Sequence, residues 1–292
     1  MGIRKRSLLK LLNFLSQHAE IFSWRKDKER LSLGMQTVGH DNLISFVARN
    51  AVVDVHYHQC FQLVVSLKLP FNSIIGGKSY ENLKGFLVNQ TVPHSCKAQE
   101  TEVMIYFIDA ESYQGWQMKE MLQGDPYAPI DVLLTGQDLQ EIVDEYRNAE
   151  GLEAVQRVAD NLLEKVLPNR RERNAREADE RILKAIDYIE ENLDNPLALE
   201  DISKEVYLSA ERLRHLFVQE TGIPFSQYIL WKRIKTVLTQ VVKGRQTMAT
   251  AAVQNGFTDQ AHFTRLFKRT FGVSAGSMLK NSRFVQFLQP AL

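Results

Sequence analysis

The sequence is poor in cysteine, proline and glycine, and it has no long apolar run. Its 292 residues include 2 Cys, 8 Pro and 15 Gly. Cys60 and Cys96 are too few for a disulfide framework, so a reducing compartment is expected. Few Gly and Pro exclude a collagen-like or low-complexity chain. The longest apolar stretch near the start, residues 8–15, is interrupted by Lys10 and Asn13. It is too short to span a bilayer, and no small-residue cleavage site follows. Arg6 stands where N-myristoylation needs Ser or Thr. The expected setting is therefore cytoplasmic, with no membrane partner.

Net charge is also small, +1, but it is unevenly placed. From Val206 onward there are twelve basic and three acidic side chains, an excess of nine; the preceding 205 residues are net acidic by eight. A basic end points to a polyanion, and the acidic remainder to a different task. The length allows two domains with separate cores.

Along the chain the texture changes several times. Residues 1–30 alternate basic and apolar positions and read as a helical segment. Residues 61–67, 73–75, 86–88 and 103–108 are β-branched and aromatic, with Pro70, Gly76-Gly77, Gly85 and Pro93 between them, as in a sandwich or barrel. Helical stripes follow: Leu139, Ile142, Val143 and Tyr146, then Leu152, Val155, Ala159, Leu162 and Val166. They suit packing on their own domain or a dimer seam. Residues 169–180 hold almost no large apolar side chain and read as a linker, and Ile182, Ala185, Ile186 and Ile189 restart a stripe. The expected divisions are 1–30, a β-rich domain 31–167, a linker 168–180 and a helical domain 181–285.

Within the last division the chain repeats itself. Leu213, Leu216, Phe217, Gly222 and Ile223 recur fifty residues later as Phe263, Leu266, Phe267, Gly272 and Val273. Each copy reads as a short scaffold helix (199–206, 248–255), a tight turn, and a second helix capped by Ser209 or Asp259. Facing outward are Ala210, Glu211, Arg214 and His215 in the first copy, and Gln260, Ala261, Thr264 and Arg265 in the second. An amphipathic helix from Phe225 to Val242 joins the copies. Eighteen residues at ~1.5 Å each make a rod of about 27 Å. That is of the order of the ~34 Å between successive major grooves on one face of DNA.

These residues resemble the AraC/XylS family of bacterial transcription regulators. The resemblance covers about the last hundred residues. It rests on Leu199…Ile202, Ser209…Leu213…Leu216-Phe217, Thr221-Gly222-Ile223-Pro224-Phe225…Tyr228, Arg233-Ile234, and Gly256-Phe257…His262-Phe263…Arg265…Phe267-Lys268…Phe271-Gly272-Val273-Ser274. It implies two helix-turn-helix motifs that read double-stranded DNA. Arg214 and Arg265 have the geometry for guanine, and Gln260 for adenine; Thr264 suits a thymine methyl or a phosphate. Lys232, Arg233, Lys268 and Arg269 are expected on phosphates. His262 suits packing or a phosphate. Ser203 in the first motif and Met248, Ala251 and Ala275 in the second depart from the family pattern, and for the second a looser packing is expected.

The N-terminal part carries a second motif. His56, His58, Cys60 and Gln62 alternate as along one strand face, and His94 and Cys96 alternate on another. In this β-rich context the pattern resembles the cupin fold, whose His-x-His, carboxylate and later His hold a metal. Here Gln62 stands in the carboxylate's place. Two readings stay open for His56, His58, Gln62 and His94: a pocket for a small effector, and a divalent metal site on the three imidazoles. The one cofactor these residues suggest is that divalent metal. A thiol sensor at Cys60 and Cys96 is a third reading.

The expected fold is α+β: a cupin-like N-terminal β-barrel with helices, then an all-α domain with two helix-turn-helix motifs. The expected function is transcription regulation by a DNA-binding homodimer under small-molecule control, with RNA polymerase as a further partner. The alternatives are a cupin metalloenzyme carrying a DNA-binding tail and a DNA-organising protein.

Overall fold

The computed structural model describes residues 43–167, 179–242, 244 and 246–288, with backbone alone from 281 onward. The segment 1–30 and residues 168–178 of the linker lie outside the described residues. The N-terminal half is one antiparallel sheet. Its strands are β1 (Leu43–His56), β2 (Phe61–Ser66), β3 (Phe71–Ile75), β4 (Lys78–Leu83), β5 (Gly85–Val88), β6 (His94–Ile108) and β7 (Tyr127–Pro129). The spatial order is β4-β3-β6-β2-β5-β7, with β1 on β6, and the sheet curls into a nearly closed barrel. The long strands β1 and β6 pair over their whole length, apart from irregularities at Arg49/Ala51 and Val53/His56.

Strict alternation along β6 explains why its sequence is apolar throughout. Met104, Tyr106 and Ile108 face helices α1 (Tyr113–Leu122), α2 (Gly136–Arg147) and α3 (Gly151–Val166). Val103, Ile105 and Phe107 face the other way, into the barrel. A strand buried on both faces needs apolar side chains at every position. The stripes of α2 and α3 (Leu139, Ile142, Tyr146; Val155, Ala159, Leu162, Val166) are buried against this sheet. Tyr106 fixes α3 by donating its hydroxyl to the Ala159 carbonyl at 2.8 Å. The stripes therefore pack on their own half and do not form an exposed dimer seam.

The C-terminal half is helical: α4 (Glu180–Glu191), α5 (Leu199–Glu205), α6 (Ala210–Thr221), α7 (Phe225–Val242), α8 (Met248–Gln254), α9 (Gln260–Phe271) and α10 (Ala275–Asn281). Helices α4 to α6 and the start of α7 form one core around Ile186, Ile202, Leu213, Phe217 and Tyr228.

The core of the second motif is continuous with that of the barrel. Trp231, Ile234, Leu238, Ala251, Ala252, Phe263, Phe267 and Phe271 share one apolar cluster with Phe46, Val64, Phe86, Ile105 and Phe107 from inside the barrel. The expectation of two separate cores fails here, because the barrel's inner face is completed by side chains from the other half. Ala251 and Ala252 are fully buried and Ala275 is 1% exposed, the small residues lying in the shared core. Regular structure also extends past residue 285, where the helical division was expected to end. The backbone of Ser282–Leu288 forms β8, antiparallel to residues 43–48 of β1.

Candidate DNA interface and barrel-mouth site

The two reading helices form where their caps predict. Ser209 Oγ accepts from the Arg212 N–H, and Asp259 Oδ1 from the His262 N–H. Both helices end in a left-handed glycine, Gly222 and Gly272. The turns before the reading helices differ: Tyr207 adopts φ 55° in the first and Gly256 φ 79° in the second. A non-glycine residue carries a steric cost in that region, and Tyr207 stands 95% exposed.

The outward sets lie where they were expected. Glu211, Arg214 and His215 are exposed on α6, with Ala210 half-buried; Gln260, Ala261 and Arg265 are exposed on α9, with Thr264 half-buried. Glu211 pairs with both Arg214 and His215. Reading a base with Arg214 therefore means exchanging that carboxylate for a base edge. His262 packs: its ring lies 5.7 Å from Phe257, and its Nδ1 accepts from the Thr258 N–H. Lys268 and Arg269 are exposed in the last turn of α9.

Lys232 and Arg233 are elsewhere, contrary to the expectation of phosphate contacts. Lys232 is 5% exposed, and its Nζ lies 2.8 Å from Asp109, 2.7 Å from Glu111 and 2.9 Å from Glu190. Lys235 joins Asp109 at 2.7 Å, and Trp231 Nε1 donates to the same carboxylate at 2.7 Å. Burial alone would raise the Asp109 pKa; the ammonium groups of Lys232 and Lys235 outweigh it and hold the carboxyl below its usual value. Burial pulls Lys232 down, and Asp109, then Glu111, more than restore it, so it stays charged. The network ties the end of β6 to α7. Arg233 is structural as well: it donates to the carbonyls of Leu193 and Asn195 at 2.9 and 2.8 Å. It also crosses beneath Gly256, where a Cβ would come within 2.6 Å of its guanidinium carbon.

This network was missed in the sequence, though a signal was present. Asp109 directly follows an apolar strand, and Lys232 and Lys235 fall on the side of α7 that carries Tyr228 and Trp231. Charges at apolar phases of two elements point to a buried pair.

In the barrel, the four predicted residues come together at its mouth. They do not share one strand: His56 ends β1, His58 lies in the β1–β2 turn, Gln62 is on β2, and His94 begins β6. The ring centroids of His56, His58 and His94 lie 4.4 to 5.7 Å apart. All three rings are buried, and His58 Nε2 lies 3.2 Å from Gln62 Oε1. Burial, with the neighbouring imidazoles adding to it for His58 and His94, lowers the histidine pKa values, that of His58 to about 3. The rings are therefore neutral near pH 7. Cys60 and Cys96 are buried thiols whose pKa values burial pushes up, that of Cys96 to about 12. A thiolate sensor needs the opposite shift.

The mouth is closed by the DNA-reading half. Phe271, the last residue of α9, packs 5.0 Å from Phe107 and 6.3 Å from His58 between ring centroids. Gly272 lies so close that a Cβ would be 2.8 Å from the Asp54 carbonyl and 2.9 Å from His56 Nδ1. In this docked arrangement Phe271 packs over the pocket expected around the histidines.

Comparison with known proteins agrees with this architecture. The family described as "Helix-turn-helix domain" matches residues 202–281. The multiple antibiotic resistance protein MarA of Escherichia coli is 33% identical over 88 residues, covering 30% of this chain and 69% of that protein. The arabinose operon regulatory protein of the same organism is 34% identical over 122 residues, covering 40% of this chain and 42% of that one. Among solved structures, ToxT from Vibrio cholerae O395 superposes with a TM-score of 0.52 at 16% identity, over 84% of this chain and 99% of that one, which speaks to fold alone. With paired reading helices, their caps and turns, and a relative matched over most of its length, the chain belongs to the AraC/XylS family of DNA-binding transcription regulators.

Proposed function

We propose that this regulator is controlled through its barrel: a small molecule at the mouth changes how the second helix-turn-helix is held. The observation that carries the reading is the shared core. Phe271 and Gly272 touch the histidine cluster at one end of α9, and Gln260, Ala261, Thr264 and Arg265 present their polar face from the same helix. A ligand acts only through different affinity for two arrangements. Anything that enters the mouth must displace Phe271 or the rings around it, so its affinity for the docked and undocked arrangements differs. The division into a sensor of 31–167, a linker of 168–180 and a DNA-binding part from 181 belongs to this reading. So do a cytoplasmic homodimer and contact with RNA polymerase. The apolar stripes of α2 and α3 are occupied by the sheet, so the dimer would use a surface other than these stripes. The metalloenzyme alternative gains no support from the relatives, one named a multiple antibiotic resistance protein and the other an operon regulatory protein.

Selection of DNA fragments by the purified chain, followed by affinity titration with and without a small-molecule panel, tests the reading. Two half-sites about one turn apart and an affinity that moves with one compound class are expected; fragments without a shared sequence would sink it. On the selected site, Arg214→Ala is expected to cost about 1–3 kcal/mol and to relax one base position. An unchanged affinity would remove Arg214 from the reading set. Lys268→Ala is expected to weaken all sequences alike and to reduce the slope of log affinity against log salt by about 1. Lys232→Ala should leave that slope unaltered, because its charge faces Asp109; a reduced slope would return Lys232 to the phosphate contacts.

A further inference from the structure

Both reading helices end against the barrel, and they are held there by different means. The second is held through the shared apolar cluster. The first motif has a core drawn from residues 182–229, and hydrogen bonds tie it to the barrel. Gln90 Nε2 donates to the Gln59 carbonyl at 2.9 Å and to the Thr221 carbonyl at 3.3 Å. Gln59 Nε2 donates to Gln227 Oε1 at 3.4 Å, and the Tyr228 hydroxyl to Glu111 at 2.8 Å. Of these, the Gln90 bond is the one that reaches a reading helix, since Thr221 is the last residue of α6. The orientation of the Gln90 amide follows from its surroundings. Two carbonyls face one end of it, and a carbonyl only accepts, so the nitrogen stands there. Its oxygen lies over Gly222, where a Cβ would come within 2.5 Å of it. The last carbonyls of a helix have no partner within it, and a donor there also meets the negative pole of the helix dipole.

The loop that carries Gln90 is braced on the barrel mouth. Asn89 Oδ1 accepts from the Gln90 N–H at 2.8 Å, the Thr91 N–H donates to the His58 carbonyl at 2.9 Å, and the Val92 carbonyl lies 2.8 Å from His94 Nδ1. Thr91 adopts φ 59°, a costly region for a β-branched residue. Bonds on both sides of it hold the loop in that shape. Gly222 therefore meets a loop tied to His58 and His94, as Gly272 meets His56. We propose that Gln90 is a positioning residue for the first reading helix, so that the barrel mouth sets both reading helices at once, and with them the separation of half-sites that the chain prefers. The α7 rod fixes the distance between the motifs. The two glycine ends, each set on a loop of the same barrel, fix how each helix is turned about that rod. A change at the mouth then alters the separation that is read, and leaves the fit of each helix to its own half-site as it was. The link to control rests on the barrel mouth being the control site.

The test uses the full chain and its selected DNA site, with a few base pairs inserted or removed between the half-sites. Each base pair turns one half-site by about 34° about the DNA axis, so the wild-type chain should lose about tenfold in affinity at the wrong separations. Gln90→Glu keeps the shape but sets an acceptor against two carbonyls. It should flatten the profile to less than about threefold and quicken hydrogen exchange at the end of α6 by about tenfold, with α9 unchanged. Gln90→Lys keeps a donor and should retain the wild-type profile. Affinity for a single half-site should be alike in all of these chains. A residue that merely steadied the loop would lower the melting temperature and leave the profile alone. A wild-type profile for Gln90→Glu, or a profile flattened alike by Gln90→Lys, overturns the positioning role. If Gln90→Glu keeps the profile while a compound still moves DNA affinity, the control site stands and only the role of Gln90 falls. If the profile flattens and no compound moves DNA affinity, Gln90 keeps its role and the control reading falls.

Discussion

Phe271→Ala is expected to lower the stability of the whole chain by about 3–5 kcal/mol, the usual cost of emptying a buried phenylalanine site. Phe271 is 2% exposed, and its ring lies 4.4 Å from Phe267, 5.0 Å from Phe107, 5.9 Å from Trp231 and 6.3 Å from His58 between centroids. It therefore packs on its own motif and on the barrel at once. The space left cannot collapse easily, because a sheet strand forms one wall and a helix the other. Denaturant unfolding measures the loss. Trp231 fluorescence should shift to the red before the sheet signal melts, if docking is what fails first. Phe271→Leu keeps most of the volume and should cost less than about 1.5 kcal/mol. A loss below 1 kcal/mol for the alanine variant would mean that the second motif does not depend on the barrel.

Asp109→Asn should be nearly as damaging, at about 3–5 kcal/mol. The carboxylate is fully buried and serves two ammonium groups and an indole N–H. Its neutral replacement leaves the Lys235 charge without the one carboxylate that it pairs with among the described residues. Lys232 keeps Glu111 and Glu190. An uncompensated buried charge, and not the lost attraction as such, dominates the cost. The cost should therefore fall when the charge is also removed, so Asp109→Asn with Lys235→Met is expected to be less destabilised than Asp109→Asn alone. Because the pair is buried, added salt should change little. Strict additivity of the two substitutions in a double-mutant cycle would show that the network does not couple β6 to α7.

These two sites differ in how far they could be read from the sequence. Phe271 is placed by the fifty-residue repeat as the end of a reading helix, but the repeat is silent on what its ring touches. The mate of Asp109 lies 123 residues away on α7. Charge counting groups Lys232 with the basic residues of a DNA-binding end, and only burial reveals that its charge is already neutralised. The histidines are legible as a group, since the alternation of His56, His58 and Gln62 and the later His94 form one pattern in the sequence. The strand assigned to them is not, because alternation in sequence does not distinguish a strand from the turn that continues it.

The local features follow from the sequence alone. Period-3.6 stripes and the caps Ser209 and Asp259 set the helices, because a helix is stabilised by neighbours within one turn. Apolar runs such as 103–108 set strands buried on both faces. The outward residues of α6 and α9 follow from the same periodicity. The tertiary structure decided which surfaces meet. The barrel's inner face and the second helix-turn-helix are each apolar and each incomplete, and no local window of sequence states that one completes the other. Burial of that shared surface turned a lysine expected on DNA into a tie between barrel and α7, and set Phe271 and Gly272 against the histidine cluster expected to line a pocket.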